Sequence, residues 1–515
     1  MEIDRLMGSV DPLEFMGDMI LDVGGLCYDS RRVQPGDLFV AIKGYATDGH
    51  IFLNDAGEKG ARGFVIEDRR YWEDPAVRKW VEQGVTLCLV SDTRRALALM
   101  ADEFYGHPSR RLKLVGVTGT NGKTTTCTLI ARIMEAAGER VGWITTLNYG
   151  IGGEEFPSQR TTPESLDLHR ILHQMVEGGC GWGVVEVSSH SLVLQRVAGC
   201  SFDAAVLTNI TQDHLDFHTT HGEYRRAKAR LFEMLDRESA GSPADRCAVF
   251  NLDDPASREI LEHRKRVTAN PSSTVTYGIE GNADVTARDI EHRMEGVSFR
   301  MVTPWGDHHI GSSLMGRPNI YNILAASCVA MAFGVEGDDL QAGIHKVTGV
   351  PGRFERISAG QDFDVIIDYA HTDDALANLL SVVRAHARGR VICVFGCGGN
   401  RDRTKRPLMG KAAARGSDWS ILTSDNPRGE EPEDIIREIE AGFVREKGKE
   451  GYEICIDRRE AIHRAIHMAK PGDMVVITGK GHETTQTIGS QVLPFDDREV
   501  TREILTEFTE KRVGI

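Results

Sequence analysis

The sequence predicts an α/β protein of three domains: a small α/β N-terminal domain, a central P-loop ATPase-like domain with a mainly parallel sheet, and a C-terminal Rossmann-like domain. Three observations predict this. A chain of 515 residues is too long for one ordinary core and suggests about three units. Short apolar runs alternate with helix-like segments along most of it. Glycine and proline breaks near residues 106–108 and 349–352 divide that alternation into three series.

The first series occupies residues 1–107, where "DLFVAI", "GFVIE" and "VTLCLV" read as strands between glycine-rich and charged turns. In "YGHPSRR", Gly106 and Pro108 interrupt a helical segment just before the apolar strand "LKLVGV", which opens the second domain at 108–348. There "LKLVGVTG", "RVGWITT", "GWGVVEVSS" and "AAVLTNI" read as strands and "TTTCTLIARIMEAAG" as a helix. Such alternation favours a mainly parallel sheet with helices on its faces. "GVPGRFERIS" punctuates the chain again and opens the third domain, 349–515, with strands "FDVIIDYA", "RVICVFGCGG", "DWSILTSDN", "YEICI" and "DMVVITGKG".

Composition narrows the function. The chain is 41% hydrophobic and 27% charged, an ordinary globular balance, and no run approaches the about 18 apolar residues of a membrane span. The start, "MEIDRLMGSVDPLEF", carries acids early and has neither the basic start nor the apolar stretch of a signal peptide, so a cytoplasmic location is expected. A formal net charge of -15 argues against general nucleic-acid binding, which wants a basic face. Any anionic small molecule must then be met by local Arg, Lys and backbone N–H groups. Ten cysteines are scattered singly, and the closest pair, Cys393 and Cys397, has no second pair to complete a zinc site, so reduced thiols are expected. No solenoid repeat or low-complexity tract is visible.

"LVGVTGTNGKTTT" is the strongest local signal. An apolar strand runs into Gly119-Thr120-Asn121-Gly122, then Lys123, Thr124 and Thr125, and a helix follows. Backbone N–H groups and the helix N-terminus suit phosphates, Lys123 suits the β- and γ-phosphates of ATP, and the Thr124 hydroxyl suits Mg²⁺. Val117 stands where the longer phosphate-loop pattern has its first glycine. A chance glycine-rich turn is the bland alternative.

Two further segments follow strands: "VVEVSSH", with Glu186, Ser188 and His190, and "LTNITQDHLDFH", with Asp213, His214 and His218. Ligands gather at the carboxyl ends of parallel strands, so these groups are expected in the same cleft. Glu186 and His214 become candidate metal ligands, and oxygen-rich surroundings beside a triphosphate favour magnesium over zinc. A lone histidine is more often a structural hydrogen-bonding residue.

"GTNGKTT", "TTPE" (161–164), "EVSSHSL", "TNITQDHLDFH", "YRRAKARLF" (224–232), "PGRFE" (351–355), "DYAHT" (368–372), "GCGGNRDRTKRP" (396–407), "DNPR" (425–428) and "GKGHE" (479–483) stand in the order seen in the Mur ligases. The sequence resembles that family over almost its whole length. The resemblance implies an ATP-dependent amide ligase in which a substrate carboxylate attacks the γ-phosphate and an amine captures the acyl phosphate. It implies small-molecule substrates, a UDP-N-acetylmuramoyl dipeptide and an amino acid, and the chain is expected to act as a monomer. Lys123, Glu186, His214 and Lys228 are the implied catalytic set. Lys228 matches a lysine that the family N-carboxylates with CO₂ to hold a second Mg²⁺ together with His214; on its own it would pass for a solvated helix lysine. Because modification needs a free amine, a depressed Lys228 pKa is expected.

The resemblance also implies where each substrate sits. Asn319 in "GRPNIYNILAA", Arg353 and Asp368 are placed at the nucleotide; Asn322 in the same segment could instead cap a helix. Ser30 and the Tyr45-Ala46-Thr47 loop are placed at the uridine diphosphate, with Thr161, Thr162, Ser188 and Arg196 at the rest of that substrate. Plain turns would also accommodate these residues. Leu194 stands where some members have a substrate-contacting glutamine, and Asp373 where the family usually has proline.

For the acceptor, Arg401, Asp425, Asn426, Pro427, Arg428, Gly479 and Glu483 match the meso-diaminopimelate positions. The chemistry agrees: a second amino-acid head brings a carboxylate suited to a bidentate arginine, whereas the ammonium of lysine would be repelled. Asn-Pro is also a common turn opener. Alternatives are an L-lysine-adding or folylpolyglutamate-type ligase and, in another class, a P-loop NTPase that couples hydrolysis to a binding cycle. "VFGCGGNRD" is not a dinucleotide fingerprint, because Arg401 occupies the third glycine position.

Overall fold

The computed structural model describes residues 1–44, 47–237, 245–293 and 295–513. Three main sheets follow one another along the chain. The first has five strands in the order Glu14–Met16, Thr86–Leu89, Gly63–Ile66, Asp37–Val40, Gly25–Cys27. Its first pair is antiparallel and the rest parallel. The three runs expected as strands at "DLFVAI", "GFVIE" and "VTLCLV" are strands, almost wholly buried, as befits a parallel sheet covered on both faces.

The second sheet has eleven strands. Lys113–Thr118 lies at its centre, between Ala204–Leu207 and Trp182–Glu186, and both pairings are parallel. Parallel pairing continues outward to Val141–Ile144 on one side and to Cys247–Asn251 and Ser273–Gly278 on the other. Val285–Arg293 adds one more parallel strand beside Ser273–Gly278, and antiparallel strands extend both edges: Asn148–Ile151 and Glu154–Pro157 on one, Gly296–Thr303 and Gly306–Ser312 on the other. Apolar clusters cover the two faces. On one of them the helix Lys123–Ala136 packs against Arg317–Ala332 and Gly337–Lys346. Ile320, Ile323 and Leu324 are all 0% exposed there, each worth about 1.5–3 kcal/mol of burial. Gly343 permits the close approach, since a Cβ on it would stand 2.3 Å from Ile133 Cα.

The third sheet runs Glu355–Ile357, Asp364–Asp368, Met474–Thr478, Val391–Phe395, Trp419–Leu422, Tyr452–Ile454, parallel but for its first pair. A hairpin of Thr485–Ile488 and Gln491–Pro494 follows it. All ten cysteines are buried and none is in a disulfide, and no described helix is long and apolar enough to cross a membrane.

Contacts join the three parts. The Tyr28 hydroxyl donates to Asp167 at 2.8 Å. The amide of Gln212 donates to the Thr404 hydroxyl at 2.9 Å. Asp213 stands 3.6 Å from His371 and 3.9 Å from Lys405.

Candidate active site

The phosphate loop follows from two glycines. Gly119 has φ 149° and Gly122 φ 87°, a region that penalises side chains. A Cβ on Gly119 would lie 1.8 Å from Thr208 Oγ1, and one on Gly122 2.3 Å from Asn322 Oδ1. Gly122 is also the N-cap of Lys123–Ala136 and offers no capping side chain, which leaves the helix N-terminus to an anion. The segment after Ala204–Leu207 pins the loop. Thr120 N–H donates to Asn209 O at 2.8 Å, Asn121 N–H to Asn209 Oδ1 at 3.0 Å, and the Thr208 hydroxyl to Asn121 O at 2.6 Å. Lys123 Nζ donates to the Gly119 and Thr120 carbonyls at 3.1 and 2.9 Å, folded over the loop whose phosphate it would hold. Burial lowers its pKa, with Arg353 adding to the effect against Glu186 and Asp213.

A cavity of about 700 Å³ opens in front of this loop. The expected groups Thr120 to Thr125, Thr161, Glu186, Ser188 and His214 line it from the second sheet's side, together with Asn319; Arg353, Asp368 and Arg401 line it from the third sheet's side. Asp368 is raised by burial, against Arg353 and the Phe354 and Ala370 N–H groups. Neither asparagine of Arg317–Ala332 caps that helix: the cap is Gly316, φ 85°. Asn322 instead donates to Asn319 Oδ1 at 3.0 Å, and Asn319 to Met315 O at 2.7 Å. Where the family has proline, Asp373 starts the helix Asp373–His386, and the Thr372 hydroxyl caps it at Ala375 N–H, 3.2 Å. Asp373 and Asp374 thus place two acids in the helix's first turn, where the macrodipole favours them.

Glu186 is 0% exposed; its carboxylate accepts from Thr146 N–H at 2.9 Å and the Thr146 hydroxyl at 3.1 Å. Thr146 is a support the sequence did not reveal, since nothing marks a threonine just past a strand. His214 has φ 56°, and its Nε2 lies 3.3 Å from Asp213. Burial drives its pKa well down, Asp213 opposing and His190, His371 and Lys228 adding, which favours the neutral ring, the form that ligates metals. No cluster of three or more His, Cys, Asp or Glu suited to a metal occurs among the described residues. Mg²⁺ beside a triphosphate needs only one or two protein oxygens, and Thr124 and Glu186 supply them on the cavity wall beside Lys123. The donor set fits magnesium.

Lys228, 1% exposed, lies on the helix His221–Arg237. Its Nζ donates to Gly119 O at 2.7 Å and stands 4.5 Å from the Tyr224 ring centre. Burial and then Lys123 push its pKa well below the ordinary lysine value, against Asp213. A buried, easily deprotonated amine fits carbamate formation, although here it faces a carbonyl rather than lining the cavity. Asp213 sits among these groups, 4% exposed. Burial alone would raise its pKa, but His371, His214 and Lys405 hold it well below the usual carboxylate range. Its position in "QDH" was visible; its reach to two residues of the third sheet's loops was not.

The residues expected at the nucleotide sugar form a connected patch. The Thr162 hydroxyl donates to Glu186 O at 2.7 Å, Ser188 N–H to Thr162 Oγ1 at 3.2 Å, and Arg196 Nη1 to Thr162 O at 3.1 Å. Arg196 also meets Glu164 at 2.8 Å, as do Arg160 at 2.5 Å and Arg94 at 3.6 Å. Arg94 donates in turn to Lys43 O at 2.9 Å, beside Thr47, whose carbonyl accepts from Gly44 N–H at 3.0 Å. Ser30, buried, begins a short turn, and its carbonyl accepts from Lys59 at 2.7 Å. Tyr45 and Ala46 lie outside the described residues. Glu164 and Arg94, which link the two sheets, were not singled out in the sequence.

At the expected acceptor site, Asp425 and Asn426 are buried. Asn426 donates to Glu483 at 2.8 Å and accepts from Thr487 N–H at 2.9 Å, and its carbonyl accepts from Gly399 N–H at 2.8 Å. Pro427 packs its carbonyl against Gly399, where a Cβ would come within 1.8 Å. Gly479, φ 112°, leaves only 2.6 Å between a Cβ and Asp425 Oδ2. Arg428, φ 52°, donates to Gly399 O at 2.9 Å. Its Nη1 and Arg401 Cγ lie 2.8 and 3.6 Å from the point where a Gly398 Cβ would stand. Burial lowers the Arg428 pKa and the nearby Arg401 cation lowers it further, against Asp425 and Glu483; the Arg401 guanidinium itself reaches toward Asp216, at 4.0 Å.

Comparison with known proteins places this geometry. The sequence profile of the Mur ligase middle domain matches residues 117–330, that of the Mur ligase glutamate ligase domain 352–481, and that of the Mur ligase family catalytic domain 22–105. A UDP-N-acetylmuramoyl-L-alanyl-D-glutamate--2,6-diaminopimelate ligase of Geobacillus thermodenitrificans (strain NG80-2) is 46% identical over 487 residues, 94% of this chain and 95% of that one. A protein of the same name from Clostridioides difficile (strain 630) is 41% identical over 507 residues, 98% of this chain and 100% of that one. A solved structure of a ligase of that name is 31% identical with a TM-score of 0.66 and covers 99% of each chain. A phosphate loop facing a cavity walled by two sheets, and profiles matched in order along the chain, lead to one conclusion: the chain belongs to the Mur ligase family.

Proposed function

We propose that the chain is the ATP-dependent ligase that joins meso-2,6-diaminopimelate to UDP-N-acetylmuramoyl-L-alanyl-D-glutamate, releasing ADP and phosphate, in cytoplasmic peptidoglycan precursor synthesis. The observation that carries the acceptor assignment is the Arg428 guanidinium at Gly398, with the stem of Arg401 beside it and the Glu483 carboxylate bonded to the amide of Asn426 on the same loop as Arg428. Such a site suits a zwitterionic amino-acid head. Relatives at 41–46% identity carry the corresponding name. Because one chain supplies every expected substrate residue, we take the monomer as the working unit.

In this scheme Lys123 and the N-terminal N–H groups of Lys123–Ala136 hold the β- and γ-phosphates, while Asn319, Arg353 and Asp368 fix the rest of the nucleotide. Thr161, Thr162, Ser188 and Arg196 hold the dipeptide carboxylate in line with the γ-phosphate, and Ser30 with Thr47 holds the uridine diphosphate. The carboxylate displaces ADP to give an acyl phosphate. The acceptor amine, aimed by Arg401, Arg428 and Glu483, adds to that carbonyl, and phosphate leaves as the tetrahedral adduct collapses. When bound, Mg²⁺ neutralises the gathering negative charge, and Thr124, Glu186, His214 and N-carboxylated Lys228 would hold it. Rate acceleration comes from positioning and charge neutralisation rather than from an enzyme nucleophile. The test is ADP release measured with each substrate omitted in turn: release should require both the UDP-muramoyl dipeptide and the amino acid. Full-rate turnover without the amino acid would assign the chain to NTPases that drive a binding cycle. Bicarbonate labelled with ¹³C should give a carbamate NMR signal that Lys228→Arg removes.

A further inference from the structure

Arg458 is among the largest fully buried side chains of the described residues. It begins the helix Arg458–Met468, where a cation opposes the helix dipole, so its placement calls for another reason. The guanidinium pairs with Asp497 in bidentate fashion at 2.8 and 2.7 Å, and both side chains are 0% exposed. Its remaining donors reach two backbone carbonyls, Thr478 O at 3.0 Å and Ser424 O at 3.5 Å.

Those carbonyls have a particular address. Thr478 ends the strand Met474–Thr478 and is followed at once by Gly479, Lys480 and the turn to Glu483. Ser424 lies just beyond Trp419–Leu422 and immediately precedes Asp425 to Arg428. These two strands are not neighbours, because Val391–Phe395 runs between them. Arg458 therefore ties together the bases of two loops that the sheet ladder does not connect at their ends, adding to the Asn426–Glu483 and Gln486–Asp425 O hydrogen bonds that join them further out. Only a forked donor with several N–H groups can do this. A buried ion pair is weak evidence for stability, since an apolar pair of similar volume often folds as well; the two carbonyl contacts are what apolar residues cannot replace.

We propose that Arg458, oriented by Asp497, is a positioning residue that sets the spacing between the Arg428 loop and the Glu483 loop, and so the selection of the acceptor amino acid. The inference rests on the acceptor assignment made above. Three variants test it by steady-state kinetics on all three substrates: Arg458→Lys, which keeps the charge opposite Asp497; Asp497→Asn; and the double Arg458→Met/Asp497→Leu, which replaces the pair with apolar volume. In each folded variant the KM for meso-diaminopimelate should rise about tenfold or more while the KM values for ATP and the UDP-muramoyl dipeptide stay within about twofold. The preference for meso-diaminopimelate over L-lysine should fall in parallel. An unchanged acceptor KM in a folded variant overturns the proposal. So do equal rises in all three KM values, or failure of every variant to fold, either of which makes the pair a stability element. A wild-type chain that does not accept meso-diaminopimelate defeats the functional assignment instead, and the variants are then compared on the amine it does accept.

Discussion

Two residues carry most of the charge logic. Lys123 holds its ammonium over the phosphate loop by bonds to two carbonyls, so a bound triphosphate exchanges those contacts for stronger, charge-assisted ones. Lys123→Ala should lower kcat by about 10²–10³ with little change in thermal stability, measured as coupled ADP release. Arg428 is the other. Lying beside Arg401 and bonded to a backbone carbonyl rather than a carboxylate, it keeps its charge for a ligand. Arg428→Ala should raise the meso-diaminopimelate KM about 10- to 100-fold, a charge-assisted contact's worth, and leave the ATP KM unchanged. Unchanged diaminopimelate kinetics would remove Arg428 from the site. Its candidacy was legible in "DNPR", because Asn-Pro announces a turn and arginine an anion. The burial of Asp425 and Asn426 as the scaffold that aims it was not, since the Asn426 partners Glu483 and Thr487, and Gln486, which donates to Asp425 O, lie about 60 residues further on.

At the scale of elements, the acceptor loops are held by backbone proximity. Gly399 faces Pro427 O with no room for a methyl group. Gly399→Ala should therefore force the two loops apart and raise the acceptor KM more than the ATP KM, read in the same assay; a selective effect on ATP would contradict the packing. The expected parallel strands all formed, because burial on both faces leaves a continuous apolar run, as in Val391–Phe395 and Met474–Thr478. The outer strands of the second sheet escaped notice for the opposite reason. Val285–Arg293 is exposed through its second half, and Glu154–Pro157 is nearly all exposed, so neither leaves an apolar signature. The helix at Arg317 was legible, but its cap was not: Gly316 at φ 85° begins it, and Asn322, which could have served as a cap, does not.

Across the whole molecule, the cavity between the second and third sheets gathers groups from both, and Gln212, Asp213 and Asn121 of the one touch Thr404, His371, Lys405 and Asp374 of the other. The order of motifs was readable because most of them sit at a strand end, where α/β sheets collect ligands; "YRRAKARLF" lies instead on the helix His221–Arg237. Contacts such as Asp213–Lys405 were not, because nothing local encodes a partner nearly two hundred residues away. The central claim is that this assembly selects an amino acid carrying a second carboxylate. It is tested most directly by comparing kcat/KM for meso-diaminopimelate and L-lysine under saturating ATP and UDP-N-acetylmuramoyl-L-alanyl-D-glutamate. The account predicts a preference for meso-diaminopimelate of at least about 10²-fold, the value of an arginine-carboxylate contact plus the repulsion of a misplaced ammonium. Equal use of the two, or a preference for lysine, would contradict it.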